Sequence, residues 1–135
     1  MALRRAGVVL IVAALAVGPG GALAGGKKKQ RKRPHVWGSK VTLTQSTPTR
    51  FTGRVRSSLD ACVKSRLVTV FYTDPSSGTT ALLSVQRTDG KGRYRIDLTH
   101  TAFAGAYQAQ AAKQRTRARK RKQTCRVADS NLLGI

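Results

Sequence analysis

The sequence contains no Glu, and its only acids are five Asp: Asp60, Asp74, Asp89, Asp97 and Asp129. This scarcity removes the usual carboxylate pairs of general acid–base catalysis, leaves few hard metal ligands and rules out a surface laced with ion pairs. Histidine is nearly as scarce. His35 stands in a basic stretch and His100 at a predicted strand end, without partners spaced for a metal or catalytic site, so both are read as exposed loop residues. No G-x-S-x-G nucleophile elbow occurs, and Gly90 and Gly92 precede a predicted strand rather than a helix, which excludes a phosphate-cradling loop. The expectation is a protein that is not an enzyme, with no cofactor, no metal and no small-molecule substrate. Aromatic residues are also few: Trp37, Phe51, Phe71, Tyr72, Tyr94, Phe103 and Tyr107.

Against these absences stand 26 Lys and Arg in 135 residues, a formal net charge of +21. A chain of this length supports one domain at most. Residues 1–24 are read apart from the fold as a signal peptide. Arg4 and Arg5 form a basic start, residues 6–17 are dominated by Val, Leu, Ile and Ala, and Gly18 to Gly21 break any helix. Ala22-Leu23-Ala24 fits a signal-peptidase site, with the cut expected after Ala24. An uncleaved membrane anchor is the alternative, and the positive charge that follows directly argues for it.

Cys62 and Cys125 are the only cysteines. An even count in an exported chain points to one disulfide. Zinc and a catalytic thiol are the alternatives, but two Cys without a nearby pair of His cannot complete a tetrahedral zinc site. Closing a loop of this length is worth roughly 4 kcal/mol in the chain-entropy model. With a thin apolar core, that would be a large share of the stability.

From Lys40 onward short β-rich runs alternate with turns. Residues 40–46 place Val41 and Leu43 on one face, and residues 50–56 place Phe51, Gly53 and Val55 against Arg50, Thr52, Arg54 and Arg56. Residues 66–73 are apolar on both faces, as a central strand requires. Asp74-Pro75-Ser76-Ser77-Gly78 and Asp89-Gly90-Lys91-Gly92 are turns. Residues 79–87 align Ala81, Leu83 and Val85, residues 93–99 align Tyr94, Ile96 and Leu98, residues 106–112 align Tyr107, Ala109 and Ala111, and residues 124–133 close the chain. About seven strands in this space predict an all-β fold, a single antiparallel Ig-like β-sandwich with one disulfide.

The run Thr88-Asp89-Gly90-Lys91-Gly92-Arg93-Tyr94-Arg95-Ile96-Asp97-Leu98, followed by Gly105-Ala106-Tyr107-Gln108-Ala109, resembles the core motif of carboxypeptidase-regulatory-like domains. These are transthyretin-like sandwiches related to the B-type repeats of collagen adhesins. Phe51-Thr52-Gly53-Arg54-Val55 and Arg66-Leu67-Val68-Thr69-Val70 resemble their early strands. With both cysteines, the whole is similar to exported actinobacterial members stapled by one disulfide. The resemblance covers about residues 40–133 and implies a non-catalytic binding or spacer module.

The remaining signal is charge. Residues 25–39 are expected to be a basic disordered arm carrying Lys27, Lys28, Lys29, Arg31, Lys32 and Arg33. A second run, Lys113, Arg115, Arg117, Arg119, Lys120, Arg121 and Lys122, is expected to be a basic loop at 113–123 within the 40–135 sandwich domain. A helix over 106–122 is the competitor, since Ala, Gln, Arg and Lys form helices well. If strands extend into the run, Lys113, Arg115, Arg117, Arg119 and Arg121 share one face and Lys120 and Lys122 the other. The runs carry no aromatic residue, so contacts are expected with anionic groups and not with bases. The partner expected is an anionic polymer, membrane or wall surface: cell-wall phosphate polymer, acidic polysaccharide or lipid headgroups, contacted by a secreted or envelope-associated protein. Two alternatives stand beside it. One is a non-binding spacer with solubilising tails, and the other an intracellular, sequence-nonspecific nucleic-acid-binding protein.

Overall fold

The computed structural model describes residues 33–118 and 120–135. The signal peptide expected at 1–24, the cations at 27–32 and Arg119 lie outside the described residues. The described residues are all-β, and their two main sheets face each other across one core.

The first sheet has the order β2-β3-β6, formed by Lys40–Thr47, Arg50–Arg56 and Arg93–Asp97. The second has the order β10-β7-β4-β5, from Ala128–Asp129, Ala106–Ala111, Leu67–Thr73 and Thr80–Arg87, with β11 (Leu133–Gly134) also paired to β7. The pairings within both sheets are antiparallel. The alternating residues meet as the pleat requires: Val41, Leu43, Phe51, Val55, Tyr94 and Ile96 from one sheet pack on Val68, Val70, Tyr107, Ala109 and Ala111 from the other. The small Ala109 and Ala111 let the sheets approach, and the Phe51 and Tyr107 rings meet at 4.7 Å.

A missing side chain shapes the β2-β3-β6 sheet at Gly53 and Gly92. Gly53 faces inward directly opposite Tyr94, and a Cβ there would lie 2.3 Å from the Tyr94 ring and 2.1 Å from the Thr42 carbonyl oxygen. The tyrosine lies across the glycine and its hydroxyl donates to that same carbonyl at 2.5 Å. Gly92 closes the β5–β6 connection at φ +77, where its carbonyl accepts from the Val55 amide at 2.8 Å.

Three expectations change. Eleven strands form among the described residues instead of about seven, because the 25–39 arm contributes β1 (His35–Trp37), the 113–123 segment contributes two strands and the closing run 124–133 breaks into β10 and β11 after Cys125. The basic segment expected as a loop at 113–123 is a hairpin, β8 (Gln114–Ala118) and β9 (Arg121–Cys125), so the helix is excluded as well. A bulge opposite Val70 and Phe71 shifts the β5 register, so that Ser84 faces Val70 and Val85 faces Thr69. Val85 is thereby turned outward and does not align with Ala81 and Leu83.

The scarce carboxylates stabilise turns and one strand pair. Asp74 accepts from the Ser76 amide and from the Ser76 and Ser77 hydroxyls, and Asp89 accepts from the Lys91 and Arg93 amides. Asp97 bridges Arg50 and Arg95. Hydrogen bonds from Ser76, Arg93 and Arg50, respectively, hold all three carboxyls below the usual Asp range. Their folded pKa values lie below the unfolded one, so their contribution is present at neutral pH and lost as pH falls from about 4 downward. Urea midpoints measured between pH 7 and 2 are expected to stay level above about pH 5 and to drop below about pH 4, with Asp97→Asn flattening part of that drop. A level profile down to pH 2 would contradict these assignments.

Candidate anion-binding sheet

Beyond β7 the chain leaves the sandwich and builds a third sheet, of order β1-β9-β8. Its local logic is period two. Gln114, Thr116 and Ala118 of β8 are half-buried while Arg115 and Arg117 are exposed, and Gln123 and Cys125 of β9 are buried. A helix could not bury the second pair while leaving the arginines in water, which is why high helix propensity loses here. The strands reverse between Ala118 and Arg121, with Lys120 at φ +61, a left-handed conformation typical of a tight hairpin. Strand β1 then joins β9 in parallel register, His35 beside Gln123 and Trp37 beside Cys125.

Register decides where the cations stand. Arg115 pairs with Thr124, Arg117 with Lys122, and Ala118 with Arg121. Arg115, Arg117 and Lys122 therefore share the outer face, and Arg121 lies on the other. The reversal after Ala118 corrects the expectation that alternate residues from Lys113 to Arg121 share one side. All the described cations of the run are exposed: Lys113, Arg115, Arg117, Lys120, Arg121 and Lys122. Arg33, also exposed, comes to the same sheet through β1. Two segments separated by about eighty residues of sequence thus converge, and spacing alone does not reveal it.

Arg117 faces Lys122 directly, in a geometry where like charges repel. Among the described residues the ion pairs are Arg50–Asp97, Arg95–Asp97 and Arg93–Asp89, all on the β2-β3-β6 side. Asp129 accepts from Gln110 at 2.9 Å. The positive charge of the third sheet is therefore not balanced by a salt bridge among these residues. The outer face of β2-β3-β6 is basic too, with Lys40 opposite Arg56 and Arg54 opposite Arg93, but Asp89 and Asp97 neutralise part of it.

The sheet's inner side meets the turn around Asp60–Cys62 and leaves a cleft of about 1240 Å³. Its lining includes Arg33, His35, Trp37, Ser58, Asp60, Arg121 and Gln123. The Trp37 indole N–H donates to Gln123 Oε1 at 2.8 Å, and the His35 ring lies 4.6 Å from the indole. His35 is thus a strand residue and not a loop residue. His100 is exposed, with Nδ1 2.8 Å from the Thr101 carbonyl oxygen. Among the described residues no group of three His, Cys, Asp or Glu side chains is placed to hold a metal ion.

Two features attach the sheet to the sandwich. Cys62 and Cys125 form a disulfide with Cα atoms 5.5 Å apart, both residues fully buried. A disulfide fits an extracellular, oxidising setting. Beside it lies Arg66, whose side chain is wholly buried. Its guanidinium donates to the carbonyls of Cys62 at 3.1 Å, Ala112 at 3.0 Å and Arg126, and to the Ser39 hydroxyl. Those acceptors sit at the β1–β2 junction, on the disulfide turn, at the exit from β7 and just after β9, so one side chain ties the three connections between the third sheet and the sandwich to the disulfide turn. Burial pushes its pKa down from the usual Arg value. Sequence reasoning missed Arg66 because it opens a predicted strand among many arginines, and a fully buried Arg is rare. Trp37 and His35 were missed as a pair, although H-V-W between Pro34 and Gly38 alternates as a short strand does.

No protein-family model and no curated protein matches the chain.

Replacing Arg66 with Met leaves at least three carbonyls without their donor, at a cost of roughly 3 kcal/mol or more. Arg66→Lys is expected to recover little, since one ammonium cannot reach acceptors spread over four segments. Equilibrium urea unfolding of both variants checks this, and a wild-type midpoint for Arg66→Met would show that the guanidinium is not a structural tie.

Proposed function

We propose that this protein is an exported, non-catalytic β-sandwich module that binds anionic polymers or surfaces through the β1-β9-β8 sheet. Phosphate-rich wall polymer, acidic polysaccharide and anionic lipid headgroups all belong to the chemistry this sheet can meet. The observation that carries the reading is the unneutralised Arg117–Lys122 pair on an ordered ladder, next to Arg115 and backed by Arg121 and Arg33. A rigid sheet holds these charges at fixed spacing, so an incoming anion relieves repulsion that the fold itself maintains. Solubilising charge alone needs no such order. The outer face of the sheet carries no aromatic residue, so the contacts there are with anionic groups. The disulfide, together with the Ala22-Leu23-Ala24 motif, supports export with cleavage after Ala24 and a transthyretin-like type of sandwich stapled by one bridge. Protein isolated from its own source is then expected to begin at Gly25 and to lack the two thiol hydrogens by intact mass.

The direct test compares two triple variants of equal charge loss on an immobilised polyanion. Arg115→Gln, Arg117→Gln and Lys122→Gln together are expected to lower the log–log salt slope by about 2 to 3, on the scale of one cation per anionic group. Lys40→Gln, Arg54→Gln and Arg56→Gln together, on the other basic face, are expected to change it by less than about 1. Equal losses from both triples would mean that net charge, and not this sheet, does the binding.

A further inference from the structure

The cleft behind the basic sheet has a composition the outer face lacks. It combines aromatic rings, cations and neutral hydrogen-bonding groups in one concavity. Trp37 is half-buried and its indole edge is tied to Gln123, so the ring plane is set before any ligand arrives. His35 flanks it at 4.6 Å with its plane tilted by 51°. Arg33 and Arg121 line the same cleft, and the turn that carries Cys62 contributes Ser58 and Asp60.

We propose that this cleft is a subsite for an acidic polysaccharide, with a sugar ring stacked on Trp37 and the anionic substituents of the chain held by Arg33 and Arg121. The assignment rests on the polyanion reading above and narrows it. An aromatic face offers dispersion contact to the C–H face of a pyranose, while Ser58, Gln123 and Asp60 can exchange hydrogen bonds with hydroxyls. A volume of about 1240 Å³ admits more than a single small ion. Asp60 decides between ligand chemistries. A densely charged polyphosphate would be brought against this carboxylate without gaining from it, whereas a chain of hydroxyl-bearing rings with spaced charges uses both the carboxylate and the arginines. Single-stranded nucleic acid also combines stacking with charge. The disulfide fits an oxidising setting outside the cytosol, which favours the polysaccharide over an intracellular nucleic acid.

Trp37 is the only tryptophan in the chain, so its fluorescence reads the cleft alone. The full, disulfide-bonded chain is titrated with an oligouronate, with polyphosphate of matching charge number and with oligothymidylate, each at fixed salt. The oligouronate is expected to shift or quench the emission, and polyphosphate to bind with the emission unchanged. Trp37→Ala is expected to weaken oligouronate binding about tenfold while leaving retention by polyphosphate intact. His35→Ala serves as a second variant should the first fold poorly, with a smaller loss in the same direction. A silent Trp37 on oligouronate binding, an equal response to polyphosphate, or a larger response to oligothymidylate would overturn the subsite. The first two results would leave the anion-binding sheet standing. Failure of all three polymers to bind would remove both.

Discussion

The structure turns on how a strongly basic sheet is kept attached to a small sandwich. Two buried groups do it from the same spot: the Cys62–Cys125 disulfide and the Arg66 guanidinium. The disulfide connects the end of β9 to the turn before β4. Arg66 gathers carbonyls and one hydroxyl from the segments that pass between the sheets. A buried cation normally needs a carboxylate, and this sequence has almost none to give. Backbone carbonyls take that role, with the orientation of each fixed by the strand or turn to which it belongs. The arrangement is demanding, because losing the cation leaves several acceptors unsatisfied together.

The same shortage of carboxylates shapes the surface. Asp74 and Asp89 are engaged in turns, Asp97 holds a strand pair and Asp129 meets Gln110, which leaves Asp60 alone beside the third sheet. A ladder that pairs Arg117 with Lys122 therefore stores repulsion that a hydrophobic core of this size must tolerate. The edge strand β8 is also protected by these charges against pairing with another chain. Edge protection accounts for charge on β8, but not for the convergence of Arg33, Trp37 and Arg121 on one cleft. The proposed recognition rests on that convergence: β1 brings the aromatic pair to a charge cluster supplied by a distant part of the sequence.

The strands of the two facing sheets were readable from alternation. Val41 and Leu43, Phe51 and Val55, Val68 and Val70, and Tyr94 and Ile96 all face the core as their period-two spacing implies. The disulfide followed from cysteine count. Three things were not legible, each for a physical reason. In β8 and β9 the half-buried residues are Gln, Thr and Ala, so the alternation is polar against charged and carries little hydrophobic contrast. Strand β1 is only three residues long and gains its structure from a partner far along the chain. The β5 bulge adds one residue to the register, and Leu83, Ser84 and Val85 give no local sign of where it falls.

The paired clamp at Arg66 and Cys62–Cys125 orders the basic hairpin. Amide hydrogen exchange across the chain, measured before and after reduction of the disulfide, tests it most directly. In the oxidised protein the β8–β9 amides, such as those of Thr116 and Gln123, are expected to be protected. After reduction they should lose protection while Val68, Val70 and Ala109 of the sandwich keep most of theirs. Hairpin amides that exchange at free-chain rates in the oxidised protein, or that are indifferent to reduction, would contradict the account.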